Sequence, residues 1–168
     1  YLVGVADLGF GAKGGQRREF EVTCPGEFVI YEIRSGRRLS EQPASVIGDE
    51  IPARGHRAYA LLPYRVTGVS LQASGEEVER GDTLALTVDV STEPVGDRAV
   101  HVVRVEALGP DGESFFPMRR VLRMPDERAL EISLTFAHSD SQGDWRFTAT
   151  DVTTGVSAEA TVRVGGAG

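Results

Sequence analysis

The chain has 168 residues, of which 40% are hydrophobic and 26% are charged, and its net charge is −7. This composition is typical of a globular protein and excludes an intrinsically disordered chain. The apolar runs are only a few residues long, which excludes a bundle of membrane-spanning helices of ~20 residues each. The negative charge argues against general nucleic-acid binding.

Alternation of apolar and polar side chains dominates the first 64 residues and predicts about five strands there. A strand over Phe20–Cys24 leads into Cys24-Pro25-Gly26, which predicts a turn, since proline fixes φ and glycine accepts a positive φ. A second strand over Phe28–Arg34 ends in a tight turn at Ser35-Gly36. A later strand over Ala58–Leu62 is followed by a proline, which excludes a helical continuation.

The second part of the chain alternates more regularly, and turns with Gly, Pro and Asp separate its strands. Seven short strands without a helical stripe are typical of an immunoglobulin-like antiparallel sandwich. We therefore predict an all-β chain, with a small β-sandwich unit over residues 1–64 and an immunoglobulin-like β-sandwich over residues 65–168. The seven predicted strands are Val69–Leu71, Thr83–Val90, His101–Ala107, Arg120–Met124, Leu130–Phe136, Trp145–Ala149 and Ser157–Val164.

Trp145 is the one tryptophan, and it shares a strand face with Phe147 and Ala149. We expect it to pack across the sandwich against the apolar face of Thr83–Val90. The alternative is a solvent-facing tryptophan that stacks on a sugar.

Two motifs resemble known binding sequences. Gly9–Gly14 matches G-x-G-x-x-G, but an alternating strand follows it instead of the helix that a dinucleotide site requires. We therefore expect a loop there. Arg80-Gly81-Asp82 spells the integrin-recognition tripeptide, but it directly precedes a strong strand where a turn is needed, and we interpret it as that turn.

Metal and nucleophile chemistry have little support in the sequence. His56, His101 and His138 lie far apart, whereas a zinc site needs clustered ligands. Asp140, Asp144 and Asp151 do not have the spacing of a calcium loop, and a calcium site among the loops stays open as an alternative.

Cys24 has no partner for an internal disulfide. It has no histidine near it in the sequence to lower its pKa, so we expect a small buried hydrophobic residue there and not a nucleophile.

Acidic residues do not form a recognisable catalytic pair. Glu76-Glu77-Glu79 predicts a solvated turn, and the carboxylates of a glycosidase must face each other about 5–9 Å apart across a cleft. We expect no catalytic residue, no metal and no cofactor in this segment, and no enzyme activity of its own.

Two segments together resemble a known architecture. Phe28–Leu39 followed by Arg54–Tyr64 is similar to the β-sandwich that follows the catalytic barrel in large bacterial β-galactosidase-like glycoside hydrolases, where a "YD-R-G-L" strand pair precedes a strand ending in "ALLPY". The later motifs look like the terminal immunoglobulin-like module of such proteins, and similar endings occur in macroglobulin-type domains of bacterial surface proteins. These motifs are Arg80–Asp82, His101–Val105, Gly109–Gly112, Gly143–Trp145 and Asp151–Gly155.

The resemblance implies a non-catalytic accessory region that buttresses or orients a catalytic domain preceding it in the same chain, because the family's catalytic carboxylates lie on that domain. The missing methionine at the start agrees with a piece of a longer chain. A carbohydrate- or protein-binding module of a secreted or surface protein is the alternative. An extracellular or periplasmic location is favoured.

Five aromatic side chains are the candidates for contacts with a carbohydrate ligand or another domain. Phe115 and Phe116 belong to an apolar, arginine-flanked segment that we expect to pack on the first unit or on a neighbouring domain, with ligand contact as the alternative. The five candidates are Tyr31, Tyr59, Tyr64, Phe115 and Phe116.

Overall fold

A computed structural model describes residues 1–7, 17–94, 99–124 and 129–166. These residues form thirteen strands and one short 3₁₀ turn, so the predicted all-β fold is confirmed. None of the described helical segments has the length and hydrophobicity needed to cross a bilayer. The chain divides into two compact units. Unit 1 comprises Tyr1–Arg65 with Thr153–Gly155, and unit 2 comprises Val66–Val152 with Val156–Gly168.

Unit 1 contains five described strands, and all of their pairings are antiparallel. The strand order is β1-β5-β2-β3, and β4 also pairs with β2. The strands are β1 (Leu2–Ala6), β2 (Arg18–Glu32), β3 (Arg37–Arg38), β4 (Ala44–Ile51) and β5 (His56–Leu62).

Strand β2 runs through the turn that the sequence predicts at Cys24-Pro25-Gly26, so that prediction is wrong. The β2–β4 ladder is regular up to Thr23 and resumes at Phe28, with a shift of register between them. Proline cannot donate to a ladder, and it is tolerated where the ladder is already interrupted. Gly26 does not have a positive φ, so the strand bends here without reversing.

The core of unit 1 forms between β2, β4 and β5. Cys24 is buried within it, as predicted, and half-buried side chains such as Phe20 and Phe28 pack against it. The buried cluster comprises Cys24, Ile30, Ile47, Tyr59 and Leu61.

Unit 2 contains eight described strands in two sheets. One sheet has the order β10-β9-β12-β13-β7 and the other β11-β8-β6. All pairings are antiparallel except that of β13 with β7. The strands are β6 (Arg65–Ala73), β7 (Glu77–Glu79), β8 (Thr83–Glu93), β9 (His101–Leu108), β10 (Arg120–Met124), β11 (Leu130–Thr135), β12 (Gly143–Asp151) and β13 (Ser157–Gly165).

Alternation places the predicted apolar faces inside unit 2. Leu84, Leu86, Val88 and Val90 on β8 are all buried, and inward residues of β9, β12 and β13 are buried in the same way. Two of the predicted turns are also present. The Gly112 N–H donates to the Gly109 carbonyl oxygen at 2.9 Å, and the loop between β12 and β13 is closed by Asp151 N–H bonding to the Val156 oxygen.

Strand β7 is absent from the sequence prediction, which interpreted Glu76-Glu77-Glu79 as a solvated turn. Glu77–Glu79 instead pairs with Arg163–Gly165 of β13. Three residues with one apolar side chain are too few to show alternation, so this strand depends on a tertiary partner.

Candidate contact surface

Tyr59 lies in the core of unit 1 and is fully buried. Its hydroxyl donates to Asp49 Oδ2 at 2.9 Å, and Arg37 Nη2 donates to the same oxygen at 2.6 Å. Burial raises the pKa of the Tyr59 hydroxyl far above its ordinary value, and the Asp49 carboxylate raises it further. Tyr59 thus joins the core to a surface ion pair and is not available to stack on a ligand.

Tyr31 and Tyr64 are also inside the protein, each with 4% of its surface exposed. Tyr31 lies on β2 opposite Ala60 of β5, and Tyr64 lies between β5 and β6. Stacking on a sugar ring requires an exposed aromatic face. The three tyrosine candidates do not offer one.

A buried carboxylate that sequence reasoning missed holds the turn after β2. Glu32 accepts hydrogen bonds from the Ser35 hydroxyl, from the Ser35 N–H at 3.0 Å and from the Arg34 N–H at 3.2 Å, and Arg57 Nη1 lies 3.7 Å away. Burial raises the pKa of Glu32, but these hydrogen bonds and Arg57 outweigh it, so the pKa lies below its ordinary value. The predicted turn at Ser35-Gly36 was the sequence signal that could have pointed to this role of Glu32.

Trp145 is buried in unit 2, with 2% of its surface exposed, as the sequence predicts. Its ring makes edge contacts with Phe115 and Phe136, at centroid distances of 5.1 and 5.3 Å. The indole Nε1 donates to the Ser141 carbonyl oxygen at 2.9 Å. Phe115 therefore belongs to the packing around Trp145, which leaves neither ring as a free platform.

Phe116 differs from the other four candidates because 72% of its surface is exposed. It begins the 3₁₀ turn Phe116–Met118, in which Pro117 fixes the backbone and Met118 is buried. The Arg119 guanidinium lies 6.0 Å from the centre of the Phe116 ring, at the limit of a cation–π contact. The buried methionine anchors the turn, and the phenyl ring is left outside.

A chain of charged contacts connects Phe116 with the outer face of the β9–β10 ladder. Arg119 Nε lies 3.7 Å from Glu106 Oε1, and Arg104 Nε donates to Glu106 Oε2 at 3.0 Å. Val121, 65% exposed, lies opposite Arg104 across the ladder. We call this set, Arg104, Glu106, Phe116, Arg119 and Val121, the Phe116 surface. Sequence reasoning missed all but Phe116, although alternation on β9 and β10 gave the signal for the outward positions.

The structure does not bring the histidines together. His56 is exposed at the start of β5, and His138 lies against Gly81. His101 is buried beside Asp151, with 3.0 Å between Nδ1 and Oδ1. Within the described ranges there is no group of three His, Cys, Asp or Glu side chains arranged to hold a metal.

Of the two motifs that resemble binding sequences, the structure describes only one. Arg80-Gly81-Asp82 forms the predicted turn, closed by the Asp82 N–H bond to the Glu79 oxygen at 3.1 Å and tied to Phe136 by a bond in each direction. Gly9–Gly14 lies outside the described residues.

No protein-family model matches the chain, and no curated protein is significantly similar to it in sequence. Among solved structures, alpha-2-macroglobulin of E. coli is similar over 98% of this chain and 16% of its own, with 10% identity and a TM-score of 0.45. The DNA glycosylase AlkC of Pseudomonas fluorescens is similar over 58% of this chain and 30% of its own, with 9% identity and a TM-score of 0.44. A β-glucosidase of Listeria innocua is similar over 62% of this chain and 16% of its own, with 15% identity and a TM-score of 0.42.

This chain therefore spans less than a third of each of these three proteins. With identities of 15% or less and TM-scores below 0.5, the similarities do not bear on what this chain does.

Proposed function

We propose that this chain is a non-catalytic accessory region of a larger bacterial carbohydrate-active protein, of glycoside hydrolase type, and that it supports or orients another domain of that protein. The contact is made through the Phe116 surface. Such a protein acts outside the cytoplasm, in the periplasm or the extracellular space.

The exposure of Phe116 next to arginines is the observation that supports this proposal. Aromatic residues and arginine are enriched in protein contact surfaces and carry a large share of their binding energy. Phe116 and Val121 are 72% and 65% exposed, while the ring of Arg104, Glu106 and Arg119 around them supplies a polar rim. The three tyrosine candidates for stacking on a sugar, Tyr31, Tyr59 and Tyr64, are buried, which favours a protein partner over a glycan.

Calorimetric titration of this chain with the separately produced remainder of its parent protein tests the proposal. We expect saturable binding, weakened at least about tenfold by Phe116→Ser, because truncating a central aromatic contact costs about 2 kcal/mol. Val46→Ser is the matched control. Val46 is also an exposed apolar residue, at 42%, but it lies on β4 of unit 1 and does not belong to the Phe116 surface.

Two results would overturn the proposal. The first is binding that Phe116→Ser and Val46→Ser leave equally unchanged. The second is saturable binding of soluble oligosaccharides that Phe116→Ser abolishes, which would make the surface a carbohydrate site.

A further inference from the structure

The two ends of the five-stranded sheet in unit 2 differ in charge. Strand β10 is one end and pairs with β9, and β7 is the other end and pairs with β13. Among the described strands, no other pairs with either of them. An edge strand presents backbone N–H and C=O groups that can pair with another strand.

The β10 end is basic. Arg119, Arg120 and Arg123 occupy this end, and Arg119–Met124 contains no acidic residue. Arg123 is exposed and has no ion pair within the described ranges. Val121 between them is 65% exposed.

The β7 end is acidic. Glu76, Glu77 and Glu79 are all exposed, and none of them has an ion pair with a described residue. Arg163 lies opposite Glu77 on β13, and the half-buried Arg80 follows the strand. Asp82 lines an open groove together with Glu77, Glu79 and Arg163. The β7 end therefore has four carboxylates, those of the three glutamates and Asp82, and two guanidinium groups.

These charges discriminate between the ways in which two edges could meet. Two β10 edges would bring arginines together, and two β7 edges would bring glutamates together, and both arrangements are destabilised by like charges. A β10 edge against a β7 edge brings opposite charges close to each other across the new ladder, and such cross-strand pairs are stabilising.

We propose that β10 of one copy of this chain pairs with β7 of a second copy and so continues the five-stranded sheet from one molecule into the next. This contact is head-to-tail and can repeat. Since β7 has only three residues and its charges are exposed, the association is weak, depends on concentration and is reduced by salt. The inference does not depend on the proposed function, because the partner is another copy of the chain.

Sedimentation velocity over a concentration series, at low and at high ionic strength, tests the proposal. We expect a weight-average mass above 18.1 kDa that rises with concentration and returns toward the monomer in high salt. Arg123→Glu should weaken the association about fivefold or more. Glu77→Arg with Glu79→Arg should do the same.

A mixture of the two variants separates edge pairing from misfolding. Arg123→Glu lowers the positive charge of the β10 end, and the double variant reverses the charge of β7, whereas the acidic β7 of the Arg123→Glu protein still matches the basic β10 of the double variant. The mixture should therefore associate more strongly than either component alone. Phe116→Ser should leave the association unchanged, which distinguishes it from the contact in the proposed function.

Arg146→Glu is the matched control, because Arg146 is an exposed arginine on β12 in the middle of the same sheet. It should leave the association unchanged. A monomer at every concentration in low salt would overturn the proposal. So would an equal effect of Arg146→Glu and Arg123→Glu, or a mixture that stays monomeric.

Discussion

The described aromatic residues include some that hold a unit together, such as Trp145, and some that lie largely outside the packing, such as Phe116. Trp145 is enclosed by Phe115 and Phe136 and its N–H is satisfied. Phe116, next in sequence to Phe115, points outward and is 72% exposed. Burial, rather than residue type, decides which of these side chains contributes to folding.

Trp145→Ala should therefore lower the free energy of unfolding of unit 2 by about 3–5 kcal/mol, because it removes a large buried side chain and leaves a cavity. Phe116→Ala should change it by less than about 0.5 kcal/mol, as is usual for an exposed position. Urea unfolding followed by circular dichroism measures both values. Equal losses in the two variants would contradict this account of the packing.

The ionisable residues of unit 1 make its stability depend on pH at both ends of the scale. Burial raises the pKa of Asp49, but hydrogen bonds from the Glu50 N–H, Tyr59 and Arg37 outweigh it, so this pKa and that of Glu32 are lowered on folding. Their stabilisation is present above the unfolded pKa near 4 and is lost as the pH falls below it. The pKa of Tyr59 is raised, so its contribution is lost as the pH rises above about 10.

Urea midpoints measured from acid to alkaline pH should accordingly form a plateau with a decline on each side. Asp49→Asn should flatten part of the acid decline, and Tyr59→Phe should flatten part of the alkaline one. Glu41, an exposed carboxylate of unit 1, supplies the control Glu41→Gln, which should keep both declines. A Tyr59→Phe profile identical to that of the wild type at high pH would contradict the assignment.

At the scale of strands, alternation predicted the elements that are long and have one buried face. The inward faces of β8 and β12 were identified residue by residue, because β8 has four and β12 has three apolar side chains at every second position. Strand β7 was missed because three residues cannot show a period, and β4 because its sequence mixes Gly, Asp and Glu with apolar residues. Both depend on partners that are distant in sequence.

Strand β2 continues through Pro25-Gly26, where the sequence predicts a turn, so Gly26 should tolerate a side chain. Gly26 has no positive φ, and an added Cβ would make only ordinary contacts with the Phe28 ring. Gly26→Ala should leave stability unchanged or raise it by up to about 1 kcal/mol, because alanine restricts the unfolded chain.

Gly81→Ala is the contrasting variant. Gly81 has φ +98°, and a Cβ there would lie 2.5 Å from the His138 ring. This change should therefore destabilise unit 2 by more than about 1 kcal/mol. Thermal unfolding of both variants checks the pair, and a destabilised Gly26→Ala would restore the predicted turn as the better description.

At the scale of the whole molecule, the charge is distributed unevenly. Unit 2 holds seventeen acidic residues and nine arginines, and unit 1 holds eight acidic and nine basic residues, so the net charge of −7 comes from unit 2. The Phe116 surface is thus a patch with two arginines and one glutamate on the more acidic unit. The sequence indicated the apolar, arginine-flanked segment around Phe116, but only the pairing of β9 with β10 shows which arginines lie beside it.

The proposed accessory role depends on the Phe116 surface being covered in the parent protein. Hydrogen–deuterium exchange at the amides of Phe116–Met124, compared between the isolated chain and the full-length parent, measures this directly. We expect slower exchange of this segment in the parent, with Ala44–Ile51 of β4 unchanged as the internal reference. Identical exchange of Phe116–Met124 in the two proteins would contradict it.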